Sequence, residues 1–248
     1  MKISIITICY NSAETLEKTI LSVAVQSYKN IEYILVDGNS SDGTLDIIKK
    51  HQDKITQWIS EPDRGLYDAM NKGIALATGD IIGILNSDDT FYDSNVIENI
   101  AKFHNKNAID ASVGNIMQHN AKGKTVRIYS SKYWSPEKLK IGFMPPHPSI
   151  FLKAALFKEY GNYELDFKIG ADYELIVRYF LKNKITWKYS GIITTAMLVG
   201  GLSSSGKSSY TLITKEIQKA LAMNNISFSA FKIQNRFFGK IIGFVKRW

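Results

Sequence analysis

In the first hundred residues, short runs of aliphatic and β-branched positions alternate with amphipathic stretches. Residues 2–8 predict a strand. Residues 12–26 predict a helix with Leu16, Ile20 and Val23 on one face, and Asn11 or Ser12 is placed to cap it. Residues 31–36 predict a second strand, followed by a polar turn and a helix from about Thr44, with Asp42 as its cap. Residues 55–60 and 80–85 predict two more strands, and residues 66–77 a helix between them that closes at Gly79. This alternation predicts an α/β fold, with a mostly parallel central sheet and helices on both faces. Beyond Ala108 the pattern weakens. A strand pair is expected around 120–123, an aromatic and proline-rich stretch over 134–148, a helix over 171–181, a strand over 192–199 and a helix over 208–223.

Ligands of such sheets bind beyond the carboxyl ends of the strands. The polar residues gather at those ends: Thr7, Tyr10 and Asn11 after the first strand, Asp37 after the second, residues 61–68 after the third and 86–89 after the fourth. The apolar run 81–85 stops at Asn86-Ser-Asp-Asp89. Adjacent carboxylates repel each other, which suits a hard divalent cation, although an acidic turn capping a helix has the same letters.

Composition narrows the class. The 248 residues, 45% hydrophobic and 22% charged, are those of a globular protein with a sizeable core. Its single cysteine, Cys9, lies in the first apolar run and is expected in the core; disulfides are excluded and a reducing, cytoplasmic setting is expected. Lys2 and the apolar residues after it imitate a secretion signal but are too short a run, and no segment approaches transmembrane length. The four histidines and one cysteine have no zinc-ligand spacing. The net charge of +8 belongs almost wholly to residues 201–248, where eight Lys and Arg stand against one acid, Glu216.

Ser4-Ile-Ile-Thr-Ile-Cys-Tyr-Asn11, Ser22-Val-Ala-Val-Gln26, Val36-Asp-Gly-Asn-Ser-Ser-Asp-Gly-Thr44 and Asn86-Ser-Asp-Asp89 resemble glycosyltransferase family 2. Glu61-Pro-Asp-Arg-Gly-Leu-Tyr-Asp-Ala-Met-Asn-Lys-Gly73 is similar to the subgroup that builds colanic acid and other bacterial surface polysaccharides. The resemblance spans about residues 1–205. It implies a GT-A domain with a nucleotide-sugar half (1–105) and an acceptor and catalytic half (106–205), followed by a basic helical extension (206–248). It also implies inverting transfer from a nucleotide-sugar, a UDP-sugar for preference, to a glycan or lipid-linked acceptor. Donor contacts are expected from Thr7, Tyr10, Asn11, Asp37, Arg64, Asp68, Lys72, Asn86, Ser87 and Asp88. Asp37 would meet the uracil imide N–H, and Asp88 would hold Mg²⁺ or Mn²⁺. Asn86 departs from the family motif, which opens with Asp, and brings a carbonyl but no charge. Asp172 matches the catalytic base, with Glu174 second, and His147 falls on the acceptor side. Ordinary structural readings stand beside these: a turn at Asp37, an Asp68–Lys72 ion pair one helical turn apart, a helix-dipole acid at Asp172 and a loop-ordering role for His147. A scaffold without turnover is the reading from a different class.

Gly201-Leu-Ser-Ser-Ser-Gly-Lys-Ser208 fits the P-loop pattern letter for letter. No Asp follows it to organise Mg²⁺, so a Gly/Ser loop near the site is expected, with Lys207 within reach of a phosphate. At helical spacing, residues 231–248 put Phe231, Ile233, Phe237, Phe238, Ile241, Ile242, Phe244, Val245 and Trp248 on one half and the cations on the other. Residues 228–248 are therefore expected to lie on an anionic membrane surface, with docking on the protein's own core as the rival. Nucleic acid is not expected, because the aromatics are segregated from the cations.

Overall fold

The computed structural model describes residues 1–120, 122–198 and 206–236. The predicted alternation is present as β1 (Ile3–Cys9), α1 (Leu16–Ala24), β2 (Ile31–Asp37), α2 (Thr44–Lys50), β3 (Gln57–Ser60), α3 (Leu66–Leu76) and β4 (Ile81–Ile84). After it come β5 (Thr90–Phe91), α4 (Val96–Lys106), β6 (Ala111–His119), β7 (Thr125–Tyr129), β8 (Ile150–Lys153), α5 (Ala155–Tyr160), α6 (Ala171–Ile176), β9 (Trp187–Leu198), α7 (Gly206–Met223) and α8 (Ala230–Gln234). One sheet runs β3-β2-β1-β4-β8-β6-β9-β5, with β7 paired to β6. The parallel pairing expected from the alternation holds through β3-β2-β1-β4. The second half mixes directions: β8 is antiparallel to both β4 and β6, while β9 is parallel to β6.

Strand periodicity sends alternate side chains to opposite faces. Ile6, Ile34, Val36, Ile82 and Ile84 pack with Met70 and Ile74 of α3 and with residues of α6 and α7. Ile3, Ile5, Tyr33, Leu35 and Ile81 pack on the other face with residues of α1, α2 and α4. β1, β2 and β4 are therefore buried on both sides, as the inner strands of a parallel sheet require. Gly73 of α3 sits where an added methyl would come within 2.4 Å of the Ile6 side chain, so this helix lies closer to β1 than any larger residue allows.

α1 starts four residues later than its pattern predicts, at Leu16. Ser12 closes the preceding turn through its carbonyl oxygen, and no side chain caps the helix. Asp42 does serve α2, accepting the Thr44 backbone N–H at 2.9 Å. The helix over 171–181 changes to π-helical winding at Val177. α7, set apart in the sequence by its charge, buries Ile217, Ala220 and Leu221 in the same core as α6.

The tail is only partly described. Ile233 is fully buried against the core, while Phe231, expected on the same apolar face, is 74% exposed. Arg236, expected among outward cations, is buried: its guanidinium lies 4.4 Å from the Tyr210 ring centroid and donates to Thr214 Oγ1 at 2.8 Å. The beginning of the tail is thus docked on the protein itself, and residues 237–248 lie outside the described residues. The P-loop-like stretch 201–205 and the Lys207 side chain also lie outside them.

Candidate active site

The carboxyl ends of β1, β2, β3 and β4 share one edge of the sheet, because these strands are mutually parallel. Tyr10 leaves β1 with its ring 65% exposed on this edge. Asn11 follows with a left-handed φ of 47°; its backbone N–H donates to Ser40 Oγ at 2.8 Å and its side-chain oxygen accepts from the Ser41 N–H at 3.0 Å. An Asn tolerates that backbone conformation, and here it ties the loop after β1 to the loop after β2. Thr7 does not face the crevice. It is fully buried and accepts from the Tyr33 hydroxyl at 3.1 Å, since its place in the strand's alternation points it into the core.

Asp37 ends β2 at the same edge and has no exposed surface. One carboxylate oxygen accepts from Ser40 Oγ at 2.5 Å; the other accepts from the Ser40 N–H at 3.0 Å and from Ser60 Oγ at 2.6 Å. It organises the rim by joining the ends of β2 and β3, rather than standing open to a base. Cys9 lies beneath it as a core thiol, with Sγ 3.6 Å from an Asp37 oxygen. Asp63 escapes a reading by motif letters. Its carboxylate covers Gly38 so closely that a methyl there would meet Asp63 Oδ2 at 2.4 Å, and the Tyr10 ring borders the same spot.

In the segment leading into α3, the Asp68 carboxylate folds back on Arg64, accepting its backbone N–H at 3.0 Å and pairing with its guanidinium at 3.4 Å. Lys72 does not pair with Asp68: it binds Glu61 at 2.8 Å and the Pro62 carbonyl at 2.8 Å. The Asp68–Lys72 bridge, the rival structural reading, does not form because the chain entering the helix brings other partners. The Arg64 side chain is 74% exposed even with this pairing.

After β4, Asn86, Ser87 and Asp88 form the turn that the sequence marks. Ser87 Oγ lies 2.9 Å from Ser12 Oγ, and Asp88 is exposed. Asn86 donates its amide to Asp89 at 3.2 Å. Asp89 is 1% exposed, and burial together with the Asp88 charge pushes its carboxyl up to about 8. The two acids thus differ in setting: Asp88 is exposed at the turn, and Asp89 is a buried turn residue. An Asp at position 86 would set a carboxylate against Asp89, whereas Asn supplies it with a donor.

The second half contributes Asp172, in the first turn of α6. Its Oδ1 accepts the Tyr173 N–H at 2.8 Å and lies 3.4 Å from the Tyr67 hydroxyl. Burial raises the Asp172 pKa above the ordinary carboxylate range, and the charge of nearby His147 opposes the shift. His147 Nε2 lies 2.7 Å from the Tyr163 hydroxyl, and burial lowers its pKa, so the imidazole favours its neutral form. Tyr67 and Tyr163 stack with centroids 5.8 Å apart. Asn71 exchanges two bonds with the Tyr163 backbone, at 2.8 and 3.0 Å, so α3 bolts the first half of the site to the second. Glu216 of α7 receives the backbone N–H groups of Lys168 and Ile169 at 2.8 and 3.0 Å, fixing the loop that leads to Asp172.

Glu174 is not an open acid. It is 2% exposed and pairs with Arg178 at 2.7 Å, one helical turn away. A cavity of about 500 Å³ opens at the opposite edge of the parallel strands, beside Gly79, Asp80, His104 and Lys153, and takes no part in this constellation.

No cluster of three metal-ligating side chains exists among the described residues. The donor set at the rim, one exposed carboxylate and an amide carbonyl, suits Mg²⁺ or Mn²⁺ shared with a substrate diphosphate, since such ions use one or two carboxylates plus phosphate oxygens.

The family model for glycosyl transferase family 2 matches residues 4–160. The chain therefore belongs to glycosyl transferase family 2. An uncharacterised glycosyltransferase of Mycobacterium tuberculosis is 35% identical over 179 residues, 71% of this chain and 68% of that protein. A PGL/p-HBAD biosynthesis glycosyltransferase of Mycobacterium bovis is 28% identical over 226 residues, covering 89% of this chain and 84% of the relative. Among solved structures, S. aureus TarS 1-349 in complex with UDP-GlcNAc superposes with a TM-score of 0.71 at 19% identity, over 96% of this chain and 72% of that one. The mannosyltransferase PcManGT of Pyrobaculum calidifontis, in complex with GDP-Man and Mn²⁺, gives 0.68 at 17% identity, over 94% and 67%. The fold is GT-A and the chain is a glycosyltransferase. Among the described residues, no helix is long and apolar enough to cross a membrane.

Proposed function

We propose that this enzyme transfers a sugar, with inversion, from a UDP-sugar to a glycan or lipid-linked acceptor in the assembly of a bacterial surface polysaccharide. The observation that carries the reading is Asp172: a carboxylate of raised pKa at the donor edge, held by Tyr67 and the Tyr173 N–H, suited to taking a proton from an acceptor hydroxyl. A base facing the anomeric carbon from the side away from the leaving group gives direct displacement. Tyr10 offers its exposed ring to the base, Arg64 reaches toward the diphosphate, and His147 orders the acceptor side through Tyr163. Asp88, with the Asn86 carbonyl, would hold Mg²⁺ or Mn²⁺, which when bound stabilises the negative charge of a diphosphate leaving group. The preference for uridine draws support from the fold shared with TarS bound to UDP-GlcNAc.

Asp88→Asn is expected to abolish Mn²⁺-dependent UDP release while leaving thermal unfolding unchanged, because Asp88 is exposed and makes no ion pair among the described residues. Thermal-shift titration with UDP-, GDP- and dTDP-sugars, with and without Mn²⁺, tests the donor. Stabilisation by GDP-sugars alone would overturn the uridine assignment, and full activity of Asp88→Asn would overturn the metal assignment.

Peripheral attachment to the inner face of the cell membrane belongs to the same reading. It rests on the basic, aromatic pattern of the tail, with Ile233 and Arg236 anchoring its start to the protein. Deletion of residues 237–248 is expected to leave a folded enzyme with at least tenfold weaker sedimentation on anionic liposomes, by the loss of three cations worth about 1 kcal/mol each. Unchanged sedimentation would remove the tail's role.

A further inference from the structure

We propose that the β6–β7 hairpin and the residues just after it form a second docking surface for an anionic lipid bilayer, beside the mouth of the active site. β7 is an edge strand, paired only with β6. Val126 and Ile128 alternate with Arg127, so they project from one face, where they are 56% and 54% exposed. Tyr133, four residues past the end of β7, is 70% exposed. Soluble proteins blunt their edge strands with charge on the open side, and an aliphatic pair here points to a non-aqueous neighbour.

The charge points the same way. From Ala111 to Ser135 the chain has no Asp or Glu, yet it carries Lys122, Lys124, Arg127 and Lys132. Arg127 donates to Gln118 at 2.5 Å and lies over the Tyr129 ring, and Lys132 lies over the Tyr133 ring. None of the four cations has a carboxylate in ion-pair range among the described residues, whereas ten other pairs do form. An exposed aliphatic pair on a strand whose turn carries the unneutralised Lys122 and Lys124 complements a surface that is apolar within and anionic at its headgroups. A second copy of this chain would set like charge against like charge, and a nucleic acid has no use for the Val126–Ile128 pair.

Strand register places the surface. Gly83 of β4 faces Phe151 of β8, which faces Ser112 of β6, so β6 from Ile116 onward runs past the level where β4 ends. β7 pairs with that projecting part, Ile116 to His119. The hairpin therefore stands on the edge that carries Asn86 and Asp88, and a bilayer touching it would hold a lipid-borne acceptor at the crevice. This deepens the proposed function by naming where the acceptor's membrane is met, and it can fail independently of the transferase reading.

The test uses the full chain with vesicles of phosphatidylcholine alone or mixed with phosphatidylglycerol. An environment-sensitive fluorophore on Ile128→Cys reports position 128 selectively, because Cys9 is buried. A blue shift on the phosphatidylglycerol vesicles is expected, with little on phosphatidylcholine alone. Lys122→Gln/Lys124→Gln is expected to weaken partitioning about 25-fold, from roughly fivefold per cation. Val126→Ser/Ile128→Ser is expected to weaken it at least tenfold. All these side chains are exposed, so thermal unfolding and donor hydrolysis in vesicle-free buffer stay unchanged. No shift at position 128 while the tail alone carries the chain to vesicles would overturn the proposal. So would a shift that needs only protein self-association, or capture of an RNA oligonucleotide lost with the cations and indifferent to Val126 and Ile128.

Discussion

Asp172→Asn is expected to lower sugar transfer by about 10²–10⁴-fold while leaving donor affinity and folding stability near wild type. The Asn side chain keeps the shape of the carboxylate and can still accept from the Tyr173 N–H, the bond of 2.8 Å that holds Asp172 in the first turn of α6. What it loses is the capacity to take a proton. Burial raises the wild-type pKa, so a larger share of the group is protonated, and inactive as a base, in mildly acid solution. The wild-type rate should therefore rise with pH through a value above the ordinary carboxylate range, and this limb should vanish in Asp172→Asn. Steady-state UDP release across pH, with donor affinity by calorimetry, measures both. A variant that keeps its rate, or loses donor binding along with it, would show that Asp172 is a structural acid. A second variant separates the base from its support. Tyr67→Phe removes one hydroxyl at 3.4 Å and should shift the acid limb upward without abolishing turnover.

The second large effect is on stability. Glu174→Ala is expected to cost about 3–5 kcal/mol, since it leaves Arg178 charged and buried without its counter-ion. The pair is 2% and 10% exposed at its side chains, and Arg178 also donates to the Asn162 carbonyl at 2.6 Å. Asn224 of the segment after α7 reaches the same Glu174 carboxylate at 2.9 Å, so the loss would spread to the packing of α7 on α6. Urea denaturation gives the number. Replacing both partners, Glu174→Leu with Arg178→Met, should recover the part that comes from the orphaned charge, leaving the cost of the unpartnered Asn162 carbonyl and Asn224 amide. A Glu174→Ala protein that unfolds like wild type but has lost turnover would instead return Glu174 to the chemistry.

These two carboxylates show where the sequence is informative and where it is silent. Asp172 and Glu174 stand two residues apart in Gly170-Ala-Asp-Tyr-Glu-Leu175, and only the family resemblance ranks the first above the second. Helical phase sets them apart: two residues are about 200° apart, so one acid meets the crevice and the other the core. The partner one turn on, Arg178, was visible in the letters as an acid–base pair at helical spacing. The parallel half of the fold was legible as a class because short apolar strands alternate with amphipathic helices; the order β3-β2-β1-β4 was not, since it rests on contacts between segments distant in the chain. β8 and α5 were not, being only four and six residues long, too short to show a period, just after the aromatic and proline-rich stretch. Thr7 and Asp37 lie at the edge of the sheet where the sequence places them, and both are buried there. Strand ends can be read from sequence, whereas whether a loop such as Ser40–Ser41 closes over them depends on contacts between segments distant in the chain. Asp63 was hidden because its role comes from the absence of a side chain at Gly38, a contact no single segment encodes.

The bolt between the two halves has a practical side for engineering. Tyr67 and Asn71 belong to the first hundred residues, yet their partners are Asp172 and Tyr163, about a hundred residues further on. A chimaera spliced near residue 105 to borrow a relative's acceptor specificity would inherit a mismatched seam through the reacting centre. Donor and acceptor preferences in this chain are therefore exchangeable only if α3 travels with the segment it grips.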